Sequence, residues 1–136
     1  MKQRRQFLKR LGGLTALLAL ASPGRAQMRK TQELEGNFAH VVFFWLIDEK
    51  KETQEKFTSE LTKFIDNVDL ILTKHIGTPA DTDREVIDSS WSYSLILSFK
   101  SKKEQDLYQQ HPLHKDFIEN ASSLWTKVQV YDSIKL

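Results

Sequence analysis

The chain has 136 residues, 40% of them hydrophobic and 28% charged, which is enough for one domain around one core. It contains no cysteine, and this excludes disulfides, thiolate metal sites and cysteine nucleophiles. The net charge of +2 is uneven: Met1 to Ala26 holds six of the 20 Lys and Arg and no acid, leaving 14 basic against 18 acidic residues, a net of −4. A mildly acidic body lacks the basic face that a nucleic acid requires.

Residues 1–26 read as an export signal. Lys2, Arg4, Arg5, Lys9 and Arg10 precede an apolar run from Leu11 to Ala21. Those eleven residues would span about 16 Å as a helix. A bilayer core is about 30 Å thick, so no stable membrane span is expected. Gly24-Arg25-Ala26 offers small residues at −3 and −1 of a cut before Gln27. The run Arg4-Arg5-Gln6-Phe7-Leu8-Lys9 resembles the bacterial twin-arginine signal, with Gln3 where serine or threonine is usual. The resemblance implies export, to the periplasm or beyond, of a protein already folded.

Residues 27–37 read as a flexible lead-in, and 38–136 as the folded domain. Phe38 to Ile47 is rich in aromatic and β-branched residues and predicts a strand apolar on both faces. His40, Val42, Phe44 and Leu46 share one face; Val41, Phe43, Trp45 and Ile47 share the other. Helices are expected over one face and a second sheet over the other. Lys50 to about His75 predicts a long helix with an apolar stripe from Phe57 to Leu72, stopped by Gly77 and Pro79. His75 then sits as a favourable charge near that helix C-terminus. A short strand is expected around Glu85 to Ile87.

Ser90 to Lys100 alternates, placing Trp91, Tyr93, Leu95, Leu97 and Phe99 on one strand face. Ser101 with Glu104 forms a capping-box pattern for a helix through Gln110. Pro112 fixes φ and lacks an N–H, so one helix must end before it and another begin there, running to about Trp125. A last strand carries Val128 and Val130. The order predicts an α+β, ferredoxin-like βαββαβ plan: an antiparallel four-stranded sheet with helices on one face and the other face open to a partner.

Tyr108 to His114 concentrates the candidate chemistry. His114 falls in the first turn of the new helix, where the dipole favours neutral imidazole, a form that can act as a base. Tyr108 can donate to a developing oxyanion. In the structural alternative, Tyr108, His111 and His114 only pin the helix break through backbone hydrogen bonds. Trp45, Trp91, Tyr93 and Phe99 are candidates for lining an apolar ligand cavity or are plain core. A metal site on His111 and His114 with His40 or Asp116 is disfavoured by the intervening proline, and neither metal nor cofactor is expected.

Four segments in this order resemble the stress-responsive dimeric α/β-barrel family, abbreviated Dabb. They are His40-Val41-Val42-Phe43-Phe44, His75-Ile76-Gly77-Thr78-Pro79, Ser90 to Phe99, and Tyr108-Gln109-Gln110-His111-Pro112-Leu113-His114. The resemblance spans roughly Phe38 to Ile134. It implies a homodimer whose two sheets face one another as a barrel around an apolar cavity; with the aromatic candidates as lining, the expected function is to hold a small apolar or aromatic molecule there. Most members have no assigned activity. In a plant polyketide cyclase of the family, the catalytic tyrosine and histidine occupy the positions of Tyr108 and His114. His40 and His111 also match family positions, and family membership alone assigns no reaction.

Overall fold

The computed structural model describes residues 30–136. The expected export signal falls outside the described residues, as does the start of the expected lead-in. Four strands and three helices follow in the order β1 (Phe38–Leu46), α1 (Lys51–Ile65), β2 (Thr73–Gly77), β3 (Tyr93–Phe99), α2 (Lys102–Gln110), α3 (Pro112–Ala121) and β4 (Trp125–Ile134), with a 3-10 turn at Ser122–Leu124. The sheet is antiparallel with strand order β2-β3-β1-β4. This is the expected ferredoxin-like plan. Among the described residues no helix is long and apolar enough to cross a membrane.

Strand register assigns every side chain to a face. His40 pairs with Leu97 on β3 and with Asp132 on β4; Val42 pairs with Leu95 and Val130. These residues face the helices. Phe57, Leu61 and Phe64 recur at helical spacing along α1, and together with Phe117 and Ala121 of α3 they bury the sheet residues Val42, Phe44, Leu95, Leu97 and Phe99. The opposite face carries Val41, Phe43, Trp45, Ile96 and Tyr131, and among the described residues no helix covers it.

Two expected elements are corrected. The long helix stops at Ile65: Asp66 caps it, donating N–H to Thr62 O at 3.0 Å, and the Asn67 amide donates to Lys63 O at 2.7 Å. Val68 is buried in the following turn, and Leu72 N–H donates to Ser98 O at 2.9 Å to begin pairing with β3. The apolar residues Val68, Ile71 and Leu72 therefore fill a turn and an entry to β2. His75 consequently lies on the open sheet face within β2 and not at a helix end.

The second correction is that Glu85 to Ile87 forms no strand. Both sides of β3 are taken by β1 and β2, so no ladder position remains for it there. Val86 is 88% exposed, and Ile87 N–H closes a turn onto Arg84 O at 2.9 Å. At the start of the domain the lead-in is fixed by Gly36, which has φ +89 and lies against the Phe99 carbonyl. A Cβ there would come within 2.3 Å of Phe99 O, so only glycine allows the close approach.

Candidate functional site

The helix break forms as its residues dictate. Ser101 caps α2, its Oγ accepting from Lys103 N–H at 3.2 Å and donating to the Glu104 carboxylate. The inward face of α2 then presents Gln105 and Tyr108. His111 adopts φ −62, ψ 136 between two helices, ending α2 and capping α3 with Pro112 in the first turn. Its Nδ1 accepts from Leu113 N–H at 3.2 Å. The pinning role considered for all three residues is thus performed by the His111 side chain.

Tyr108 and His114 point away from that break and toward the sheet. Their ring centroids are 5.0 Å apart, and His40 of β1 lies 5.7 Å from Tyr108. Tyr108 stacks on Phe64 at 5.5 Å and tilts against Phe99 at 4.9 Å. The three polar rings border a pocket of about 190 Å³ between the sheet, α2 and α3, whose remaining walls include Phe44, Phe117 and Trp125. The resemblance implied a cavity between two facing sheets. The cluster instead occupies the helix-covered side of a single protomer's sheet.

Electrostatics divide the three groups. Burial, reinforced by the nearby Asp132 carboxylate, pushes the Tyr108 phenol well above its usual range, so it remains a proton donor. Burial, with His40 and His111 adding repulsion, holds His114 below the ordinary imidazole range, which makes it neutral at pH 7. His40 is 4% exposed and shares a 2.6 Å hydrogen bond between its Nδ1 and Asp132 Oδ1. In a neutral His40 ring, a carboxylate on Nδ1 selects the tautomer protonated there and leaves Nε2 as the acceptor.

Asp132 is the site residue that sequence reasoning missed. Its signal was present: Val128, Val130, Asp132 and Ile134 share one face of β4, and an acid in an apolar register calls for a partner. The other candidates are dispersed. Phe99 is fully buried beneath Tyr108. Tyr93 packs against Phe57 and donates its hydroxyl to Gln54 Oε1 at 3.3 Å. Trp45 donates to Ser90 Oγ at 3.1 Å under the Lys127 ammonium.

Trp91 breaks the expected alternation. Regular pairing of β3 begins at Tyr93, and the Trp91 ring packs on Phe43 of the open face at 5.1 Å. It therefore lies on the face opposite Tyr93 and Phe99. None of these four aromatics, nor His111, lines the pocket of His40, Tyr108 and His114. Among the described residues no group of three or more His, Asp or Glu side chains is placed to hold a metal ion.

No functionally curated protein matches the chain. Solved structures do. A Dabb family protein with a ferredoxin-like fold from Mesorhizobium loti is 17% identical, with 75% of this chain and 99% of that one covered at a TM-score of 0.63. A dimeric ferredoxin-like protein of unknown function from Thermobifida fusca is 13% identical over 77% of this chain and 97% of its own, at 0.60. Hydroxynitrile lyase from Passiflora edulis is 14% identical over 74% and 94%, at 0.62. At such identities the likeness establishes the fold. Residues 38–135 match the family described as Stress responsive A/B Barrel Domain, and the chain belongs to that family.

Proposed function

We propose that the protein is exported, forms a homodimer through the open face of its sheet, and binds one small apolar or aromatic molecule bearing an acceptor oxygen in each protomer. The observation that carries this reading is the pocket of about 190 Å³ bordered by His40, Tyr108 and His114. A cavity of about 150 Å³ holds benzene, so the size suits one ring with a small substituent. The phenol supplies a donor to the ligand oxygen, while Phe44, Phe117 and Trp125 supply the apolar walls. The dimeric relative from Thermobifida fusca supports the pairing, and Val41, Phe43 and Tyr131 supply the apolar face for it. The basic leader with its paired Arg4 and Arg5 supports export.

A second reading, acid–base catalysis on a small carbonyl compound, is favoured by the neutral His114 beside a phenol that stays protonated. The imidazole takes a proton from the carbon next to the carbonyl. The electrons of the broken C–H bond move onto the carbonyl oxygen, and Tyr108 donates a hydrogen bond to the enolate. A hydroxynitrile lyase on the same fold is compatible with acid–base chemistry at this scaffold.

The test uses protein from the exported fraction of cells expressing the full chain, with its N-terminus expected at Gln27. Native mass spectrometry with acetophenone is expected to show one ligand per protomer; no binding by any small aryl ketone refutes the site. Exchange of the ketone's methyl protons in D₂O, followed by NMR, separates the two readings. Exchange that falls by 10²-fold or more in a folded His114→Ala variant establishes catalysis, whereas binding without exchange leaves the binding function alone.

A further inference from the structure

A polar pocket of about 340 Å³ lies where the connection from β1 to α1 meets the segment leading into β3. Its size falls within the ~300–1,000 Å³ of small-molecule sites. It shares no lining residue with the pocket of Tyr108 and His114. Leu46, Asp48 and Glu49 line it from the end of β1 onward, Gln54 from the start of α1, and the rest comes from the segment between β2 and β3 and from Tyr93. That segment, Thr78 to Ser92, carries no helix or strand, and irregular connections longer than about 12 residues are uncommon outside functional loops and linkers. Its end is held in place. Ser92 N–H donates to Phe44 O at 2.7 Å, Ser90 N–H to Asp88 Oδ1 at 2.8 Å, and the Trp91 indole to Asp88 O at 2.8 Å.

The hydroxyls of Thr78, Ser89, Ser90, Ser92 and Tyr93 line this space, and their neighbours fix what several of them can offer. Ser92 Oγ accepts from Leu46 N–H at 3.0 Å and Ser90 Oγ from the Trp45 indole at 3.1 Å, so each keeps its own O–H to donate. Tyr93 instead donates to Gln54 Oε1 at 3.3 Å and keeps its oxygen to accept. The Gln54 amide is itself anchored, its Nε2 donating to Glu49 O at 2.8 Å. No Lys, Arg or His lines the pocket, and the Asp48 and Glu49 carboxylates repel an anion. Asp48 is engaged by Lys50, through its N–H at 3.1 Å and its Nζ at 3.4 Å, which leaves Glu49 as the charged acceptor. We propose that this pocket binds a neutral polyhydroxylated molecule, a pyranose: Ser90 and Ser92 donate to its oxygens, Tyr93 and Glu49 accept from its hydroxyls, and Trp91 offers apolar surface to its C–H face. A sugar hydroxyl both donates and accepts, which suits this mixed set. A diamine offers the serine protons no acceptor. The inference stands apart from the reading of the helix-side pocket and does not depend on it.

The experiment is an NMR titration of the intact protein, in its native oligomeric state, with methyl α-D-glucopyranoside, methyl β-D-galactopyranoside and free glucose. The glycosides stand for the end of a glycan and glucose for a free monosaccharide; binding of either supports the site, and a tenfold preference tells which source it serves. A dissociation constant of about 1 mM is expected for a ligand of this size. The shifts should fall on the Trp91 indole N–H and on the amides from Ser89 to Tyr93. Glu49→Gln is expected to weaken binding about tenfold, and Tyr93→Phe, which keeps the ring on Phe57, about threefold. Absence of any shift with all three sugars overturns the proposal, as do shifts confined to the pocket of Tyr108 and His114. Putrescine binding here in place of the sugars makes this an amine site, and the proposal is then wrong. If both folded variants bind the sugars as tightly as the unaltered protein, the contacts assigned to Glu49 and Tyr93 are wrong and the site is lost with them.

Discussion

The two faces of β1 come from one run of nine residues, and they differ in what covers them. On the helix side His40, Val42 and Phe44 are each 4% exposed, and the polar member of the set has a carboxylate partner. On the other side Val41, Phe43 and Trp45 are only half-buried, packed by neighbours in their own sheet such as Trp91 and Tyr131. Similar residue types therefore serve two ends. One face completes its burial among the described residues and borders a pocket with its polar groups, and the other stays half-buried and is the surface proposed for association.

Paired truncations at adjacent positions test that difference most strongly. Phe44 meets Phe57 at 5.0 Å and Trp125 at 5.3 Å, and Phe44→Ala is expected to cost about 3–5 kcal/mol of stability at any protein concentration. Phe43→Ala should cost an isolated protomer far less and act mainly on association, so that its apparent stability depends on protein concentration. Chemical denaturation at several concentrations, with sedimentation velocity alongside, separates the two. If Phe43→Ala leaves the dimer intact and has no concentration-dependent effect, the open face is not the interface.

A smaller effect is expected where the covered face is polar. Asp132→Ala leaves the buried His40 without its partner and should cost about 1–3 kcal/mol. Asp132→Asn retains an acceptor for the Nδ1 proton and should lose less. Equal stability for the two variants in urea titrations would show that the hydrogen bond contributes nothing. An NMR measurement of the His40 tautomer adds a second readout, with Nε2 expected to be unprotonated in the unaltered protein and to lose that preference only in Asp132→Ala.

Much of this site was legible in the residues before any coordinates, and the illegible part has a physical cause. The break at Pro112 and the cap at Ser101 are local, so they are readable from single residues and their neighbours. Likewise β1 is a continuous aromatic and β-branched run, and β3 carries strong alternation. β2 was hidden because Val68, Ile71 and Leu72 continue the spacing of α1 beyond its true end at Ile65, and only pairing with β3, a contact distant in sequence, decides for strand. The His40 and Asp132 pair was hidden for the same reason, being 92 residues apart and joined by register alone. Whether Trp91 follows Tyr93 depends on where regular pairing begins, which the alternating pattern does not encode.

The weakest contrast between the faces is in their response to acid, and it singles out His114. Its folded-state pKa lies below the ordinary value of 6.5 because burial and the neighbouring His40 and His111 disfavour the charged ring. Between that depressed value and 6.5 the unfolded chain binds a proton that the native protein does not, so stability rises with pH across this window. The full contribution is present above pH 6.5 and is lost as the pH falls through the window. His75 lies exposed on the open face, away from this cluster. Urea titrations at pH 7 and pH 5 are expected to show a loss at the lower pH that shrinks in His114→Asn but persists in His75→Asn. An NMR titration of His114 with its midpoint at or above 6.5 would remove the effect, and with it the reason to expect a base that stays neutral in mildly acidic surroundings.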